Sequence, residues 1–300
     1  MNEHTPSESA ALLRVIKNAL DAASHVLLRD LGELERLQMG ERSAFDFARR
    51  SQQRVASQLQ EALLSGRPKY GYRDNLGNMV NGLTEQYFIV CPLVGFINLF
   101  AHALPGFAMA VALLERVGED YTVSPAVIYQ PLTDDFFVAE PKGAFHNQKW
   151  LKSEKSNYRH TPMLGYSDLP VALRVAPMVS AVFAGATAAP ELPSHGHLIG
   201  VAAGLQLCYL AGGRLTAFWG DDMPLIESLA GLTIALKAGV QVGYRTQAMT
   251  GYETLSAGDT PNADWGAMLL PLLTEMLAAK KPSLSLCAAV NKSVYQRLLG

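Results

Sequence analysis

With 300 residues, of which 49% are apolar and 17% charged, the chain is long enough to bury a large core in one domain or two joined halves. The formal net charge of −2 and the dispersed basic residues exclude an extended basic surface for nucleic acid. The longest apolar region, 99–114, contains His102 and Pro105 and is shorter than the roughly 20 residues of a membrane-spanning helix, so no membrane span is expected.

The cysteine pattern and the first residues of the chain bear on the cellular compartment of the protein. Cys91, Cys208 and Cys287 are odd in number and widely spaced, which is typical of reduced thiols rather than disulfides or a metal site. Residues 1–8 are polar and do not form a secretory signal. We therefore expect a cytoplasmic protein.

Two amphipathic helices are predicted at the start of the chain, because apolar residues recur at spacings of three and four over 7–30 and 44–64. Residues 32–40 are interpreted as the connection between them. On the second helix, Arg49, Arg50 and Arg54 are interpreted as a solvated face.

The next part of the chain is predicted to be mostly strands. The Gly- and Asn-rich segment 70–86 predicts a turn or hairpin, and 105–117 is compatible with either a helix or a buried strand. The segment that begins at Phe88 is an apolar strand-like run leading into a Pro/Gly turn. Successive strands are predicted over 123–130, 135–139 and the turn segment 143–147.

After about residue 157 helices and strands alternate. Strands are predicted over 213–219, 240–244 and 283–289, and helices over 224–238, with Gly239 as its stop, and 292–299. Segment 198–210 suits a buried helix or a strand followed by a helix. The mixed order indicates layered α and β structure, with an N-terminal half, 1–156, and a C-terminal half, 157–300.

The segment 88–98 reads Phe-Ile-Val-Cys-Pro-Leu-Val-Gly-Phe-Ile-Asn. It resembles the Trp-Ile-Val-Asp-Pro-Leu-Asp-Gly-Thr-Thr-Asn motif of the inositol monophosphatase family. Four more segments resemble that family in the same order: 104–112, 126–147, 205–217 and 224–239. The resemblance covers the chain from about residue 44 to its end and implies an α/β fold of the α+β type, a layered αβαβα sandwich, usually found as a dimer.

The resemblance also implies a chemistry, the Mg²⁺-dependent hydrolysis of phosphate monoesters. In the family, Mg²⁺ ions bridge the phosphate and activate a water molecule, and carboxylates hold the ions. These come from a Glu-Glu pair after the second helix, two Asp residues in the turn and one Asp in a Trp-Asp motif.

Most of those carboxylates are absent from this chain. Cys91 and Val94 replace the two Asp residues of the turn, and Phe96 replaces the Thr whose hydroxyl orients water in the family. Gln52 stands where the family has a further Asp.

The remnants of the site are few. Asp74 and Asn75 align near the Glu-Glu pair, and Glu227 aligns with the Trp-Asp carboxylate. The two acids, Asp74 and Glu227, are therefore the candidate metal ligands. Gly95 and Asn98 of the phosphate-binding turn are retained.

The first hypothesis is therefore a pseudophosphatase with a degenerate magnesium site, no assigned cofactor, and a binding, regulatory or assembly role, as a homodimer or with a protein partner. The second is an enzyme with residual or altered metal-dependent activity, for which Mg²⁺ would be the cofactor. The third is a module that binds an apolar small molecule in the former cleft; the favoured alternative is that the cleft collapses around Phe96.

Other chemistries remain as minor alternatives. Cys91 is a possible nucleophile or, with Asp74 and Glu227, a Zn²⁺ ligand, but a buried inert thiol is favoured because no Arg follows six positions later. His195 and His197 are interpreted as exposed loop residues rather than a metal pair. By the resemblance, substrate specificity lies in 157–203.

Overall fold

Two long helices, α1 (Pro6–Arg36) and α2 (Glu41–Gly66), open the chain. They belong to a computed structural model that describes residues 6–36, 41–100, 106–118, 120–153, 163–167, 197–199, 202–246, 249–255, 273, 283–290 and 292–299. The side chains that α1 and α2 bury against each other and against the first sheet include Ile16, Leu20 and Leu59.

The first sheet has eight strands in the order β2-β1-β3-β4-β5-β6-β7-β8. β1 runs parallel to β3, and the other neighbouring strands are antiparallel. The strands are β1 (Gly71–Asp74), β2 (Met79–Val80), β3 (Gln86–Val94), β4 (Ala108–Val117), β5 (Asp120–Gln130), β6 (Asp135–Glu140), β7 (Gly143–His146) and β8 (Lys149–Trp150).

The second sheet has six strands in the order β10-β9-β11-β14-β12-β13. Its strands are β9 (Met163–Tyr166), β10 (His197–Ile199), β11 (Ala217–Pro224), β12 (Gln241–Thr246), β13 (Glu253–Leu255) and β14 (Ser283–Ala289). The remaining described helices are α3 (Phe96–Phe100), α4 (Ala203–Ala211), α5 (Leu225–Lys237) and α6 (Lys292–Leu299).

Three apolar clusters define the layers. Phe88 and Val90 of β3 face α1 and α2, whereas Ile89 and Cys91 face α4 and α5, because successive side chains of a strand point to opposite sides. The second sheet covers the other side of α4 and α5, and Tyr295 of α6 packs on its outer face. The order is α1/α2, sheet, α4/α5, sheet, α6, which confirms the predicted αβαβα sandwich.

The predicted hairpin, the strand over 283–289 and the helix over 292–299 are confirmed, and Gly239 follows α5 with φ +88°. The choice left open at 105–117 resolves as a strand. Ala110 of β4 joins one cluster and Val111 the other, so both faces of β4 are buried and its sequence is continuously apolar.

Three expectations were wrong. Helix α1 continues to Arg36 instead of stopping near residue 30, because Leu34 packs with Ala44 and Phe47 of α2. The strand expected from residue 213 begins at Ala217, and the short helix α3 was missed.

The strands of the first sheet lie within residues 71–150 and those of the second within 163–289. The division at residue 156 agrees with this arrangement, but its status as a boundary between halves stays a prediction. Across the part of the chain that is described, no helix combines the length and apolar character needed to cross a membrane.

Candidate functional site: the turn after strand β3

The turn after β3 is held tightly by backbone contacts. Gly95 has φ +81°, and a Cβ there would lie 2.6 Å from the Gly106 carbonyl oxygen and 2.7 Å from Cβ of Ala202. Asn98 donates from Nδ2 to the Gly106 carbonyl over 2.8 Å, and its own N–H donates to Gly95. The two residues retained from the phosphate-binding turn thus fix the backbone of this turn.

Cys91 and Val94 lie where the resemblance places two metal-binding carboxylates. Cys91 is 0% and Val94 1% exposed, and both join the apolar cluster between the first sheet and α4/α5. The strand register shifts between these two residues, which places both side chains in that cluster. Val94 offers no electron pair to a cation, and its neighbours are apolar.

The Cys91 thiol is in a protonated, unreactive setting. Burial raises its pKa well above the ordinary value, and the nearby Glu227 carboxyl raises it further. Asn75 donates from Nδ2 to Cys91 Sγ over 3.3 Å. Since the thiolate is the nucleophile and metal ligand, this environment favours the interpretation of Cys91 as a buried inert thiol.

The oxygens of the Asp74 carboxylate accept hydrogen bonds from groups of its own hairpin. Oδ1 accepts from the N–H groups of Leu76 and Asn78, both over 2.9 Å. Oδ2 accepts from Asn78 Nδ2 over 2.8 Å and from the Tyr72 hydroxyl over 3.1 Å. With Asp74 only 2% exposed, these four bonds use the lone pairs that a cation would need.

Close packing of α4 and α5 places Glu227 next to the turn. A Cβ on Gly231 of α5 would lie 2.4 Å from the Gly204 carbonyl oxygen of α4, so the absence of side chains lets the helices approach. The Glu227 carboxyl accepts from the Gly95 N–H, and burial raises its pKa from 4.5 to about 6.

Phe96 lies on the other side of the sheet from Cys91 and Val94. Its ring meets Phe45 of α2 edge-on, with 5.4 Å between centroids, and it packs with the α1/α2 cluster. The space between β3 and α4/α5 is filled by Cys91 and Val94 themselves. The expected collapse around Phe96 is therefore corrected to packing by these two smaller side chains.

Taken together, the donor set does not fit Mg²⁺, which requires several oxygen ligands. Cys91 is a protonated thiol, Val94 has no donor and Asp74 is saturated by hydrogen bonds. Among the described residues, Glu227 is the carboxyl group that contacts the turn, and burial raises its pKa to about 6, which disfavours the charged form. Within the described ranges, no three His, Cys, Asp or Glu side chains are grouped so as to hold a metal ion.

Asp74 and Glu227 both lie close enough to Cys91 to raise the pKa of its thiol electrostatically, but the three side chains do not form a metal-binding group within the described residues. Gln52 of α2 is buried. Asn75, which stands beside Asp74 at the position of the family's Glu-Glu pair, has a buried Oδ1 without a hydrogen-bond partner in the described structure. The sequence reasoning missed Gly204. Residues 168–196, with most of the predicted specificity region and His195, lie outside the described residues; His197 begins β10, without a described side chain.

Comparison with known proteins finds relatives along most of the chain. No protein-family model matches the sequence. The chain is 32% identical over 268 residues to an inositol-1-monophosphatase of Rhizobium meliloti (strain 1021), covering 83% of this chain and 90% of that protein. It is 25% identical over 229 residues to a protein named Nus factor SuhB from Xylella fastidiosa (strain Temecula1), covering 76% of this chain and 79% of the relative.

A solved structure shares the fold. The crystal structure of the extragenic suppressor protein SuhB from Bartonella henselae superposes with a TM-score of 0.65 at 22% identity, covering 96% of each chain. The ordered motifs, the αβαβα layers and the 32% identity over most of both sequences lead to one conclusion: the chain belongs to the inositol monophosphatase family.

Proposed function

We propose that this protein is a catalytically degenerate member of its family, a pseudophosphatase that keeps the fold for a binding, regulatory or assembly role. The observation that carries the proposal is the full burial of Cys91 and Val94 in an apolar cluster at the end of β3. Exchange of two carboxylates for a thiol and an isopropyl group removes two negative charges from the place where two divalent cations would be neutralised.

The charge balance of the remaining groups supports the same proposal. Asp74 already accepts four hydrogen bonds, so coordination of a cation would require the hairpin to break them. Glu227 would have to be deprotonated to bind a cation, and burial raises its pKa to about 6. One half-buried carboxyl group cannot supply the several anionic oxygens that a catalytic Mg²⁺ cluster requires.

A regulatory or assembly role is supported by the relatives. The Xylella fastidiosa protein carries the name Nus factor SuhB, which describes a factor rather than a hydrolase. We extend the proposal to a homodimer that acts through a protein partner.

A residual hydrolase is the main alternative, because relatives are named inositol-1-monophosphatase. An apolar ligand in the former cleft is disfavoured, since Val94 lies in contact distance of a Cβ placed on Gly204 and both helices close over it. The residual hydrolase must bind Mg²⁺ and use it in turnover, whereas the pseudophosphatase does neither. Metal binding and activity measurements therefore distinguish the two.

The test is calorimetric titration with Mg²⁺, together with hydrolysis assays on a panel of phosphate monoesters. We expect no saturable heat at millimolar Mg²⁺ and no turnover that depends on the metal. The matched comparison is the double variant Cys91→Asp/Val94→Asp, which restores both missing carboxylates. Saturable Mg²⁺ binding by the unmodified protein, with turnover that Glu227→Ala abolishes, would establish the residual hydrolase instead.

A further inference from the structure

Away from the turn, α1 and α2 form an open groove of about 510 Å³ on the outer side of the molecule. Three arginines line it, Arg29 from α1 and Arg50 and Arg54 from α2, together with Gln53, Gln58 and Glu61 of α2. The volume lies within the range of about 300–1,000 Å³ that is usual for small-molecule sites.

Two of these arginines are fixed by one buried carboxylate. Asp30 is 2% exposed, and its Oδ2 accepts from Arg54 Nε and Nη2 over 3.0 and 2.7 Å. Its Oδ1 accepts from Arg29 Nη2 over 3.2 Å and from Nε over 3.4 Å. Both guanidinium groups thus turn the same edge toward Asp30, and within the described structure neither Nη1 group makes a hydrogen bond.

The arrangement leaves positive charge in the groove. One carboxylate balances one of the two guanidinium groups, and Arg29 remains 61% exposed. Arg50 lies one turn before Arg54 on α2, is exposed, and has no acidic partner among the residues that the structure describes. The ion pairs with Asp30 account for Arg54 and for one edge of Arg29, whose side chain stays largely exposed to the groove. Arg50 takes no part in them.

The groove is also polar along its length. Arg50 and Glu61 are separated by eleven positions of α2, which correspond to about 16 Å along the helix axis. Gln53 and Gln58 lie between them and add amide groups. The arginine end suits a phosphate group, since guanidinium groups bind phosphate oxygens through paired N–H donors. The Glu61 end suits hydroxyl or amino groups that donate to a carboxylate.

We propose that this groove binds a phosphorylated small molecule of the sugar-phosphate class, with its phosphate held by Arg29, Arg50 and Arg54 and its hydroxyl or amino end toward Glu61. The site uses no residue of the β3 turn and requires no metal ion. It is therefore independent of the proposed loss of catalysis, and either proposal can fail without the other.

The test is calorimetric titration in buffer containing EDTA, which removes binding through Mg²⁺, with pyrophosphate and a hexosamine phosphate as probes. We expect saturable binding of both probes. Arg50→Gln should weaken both by about tenfold, because it removes one charged phosphate donor. Arg49→Gln is the matched control, since Arg49 is the exposed neighbour on α2 that does not line the groove, and it should change affinity less than about twofold.

A second variant tests the polarity of the groove. Glu61→Gln should tighten the binding of pyrophosphate, whose negative charge Glu61 repels. It should weaken the binding of the hexosamine phosphate, whose amino group donates a hydrogen bond to the Glu61 carboxylate. Absence of saturable binding by the unmodified protein would overturn the proposal. Equal weakening by Arg49→Gln and Arg50→Gln would overturn it as well, because that result indicates nonspecific charge attraction.

Discussion

The carboxyl group of Glu227 on α5 accepts a hydrogen bond from the backbone N–H of Gly95, at the turn where the family holds its metal ions. This bond joins a remaining candidate acid directly to the retained turn. Burial is the larger influence on the carboxyl group and raises its pKa from 4.5 to about 6 despite the bond.

The raised pKa predicts a pH dependence of stability. The folded state holds the Glu227 proton more tightly than the unfolded state, so this group lowers the free energy of unfolding as pH rises from 4.5 to about 6. The total loss is about 2 kcal/mol and persists at higher pH. Glu227→Gln should abolish this slope and stabilise the protein at neutral pH, as measured by urea unfolding across pH.

The control for that measurement is Glu33→Gln, which changes an exposed carboxylate of α1 and should leave the slope intact. An unchanged slope in Glu227→Gln would contradict the assigned role of Glu227.

The hydrogen bonds of Asp74 predict a structural role for its carboxylate. Asp74→Asn replaces one acceptor oxygen with an amino group that faces N–H or O–H donors, which should lower the free energy of unfolding by about 2 kcal/mol. The loss should be equal in EDTA and in Mg²⁺. Asn81→Ala, at an exposed position in the following loop, is the control. A destabilisation seen only in Mg²⁺ would instead identify Asp74 as a metal ligand.

The geometry of Gly95 predicts a large effect of one methyl group. Gly95→Ala combines a positive φ with contacts of 2.6 and 2.7 Å to Gly106 and Ala202, so it should cost about 3 kcal/mol or more. Gly77→Ala is the matched control, because Gly77 has φ +96° but nothing within 4 Å of its Cβ position. It should cost about 1 kcal/mol. Thermal unfolding of the two variants separates contact from backbone strain, and equal losses would rule out the contact.

The buried thiols predict low reactivity. Cys91, Cys208 and Cys287 are all buried, and burial raises the pKa of each thiol. A thiol reagent at neutral pH should leave the native protein unlabelled and modify all three cysteines after unfolding. Rapid labelling of native protein that is lost in Cys91→Ser would revive Cys91 as a nucleophile.

Some of these properties follow from residue types. A valine has no electron pair for a cation in any fold, so the substitutions at positions 91 and 94 predict a weakened metal site directly from the sequence. The order of the family segments likewise predicts the αβαβα layers, because similar local patterns in the same order require the same packing of helices and sheets.

Other properties depend on partners that are distant in sequence. Asp74 is an acid and so qualifies as a metal ligand by residue type. In the fold, however, its Oδ2 accepts hydrogen bonds from Tyr72 and Asn78. Arg54 was interpreted as part of a solvated face, yet it binds the buried Asp30 of α1 and shares it with Arg29.

Local pattern and the chemistry of single side chains are enough to give the family resemblance, the layers and the absence of carboxylates at positions 91 and 94. Which of the remaining groups are available to a ligand depends on how the chain folds. The side of the sheet that Phe96 faces, the raised pKa of Glu227 and the arginine groove all arise where α2, β3 and α5 meet partners that a linear pattern does not specify.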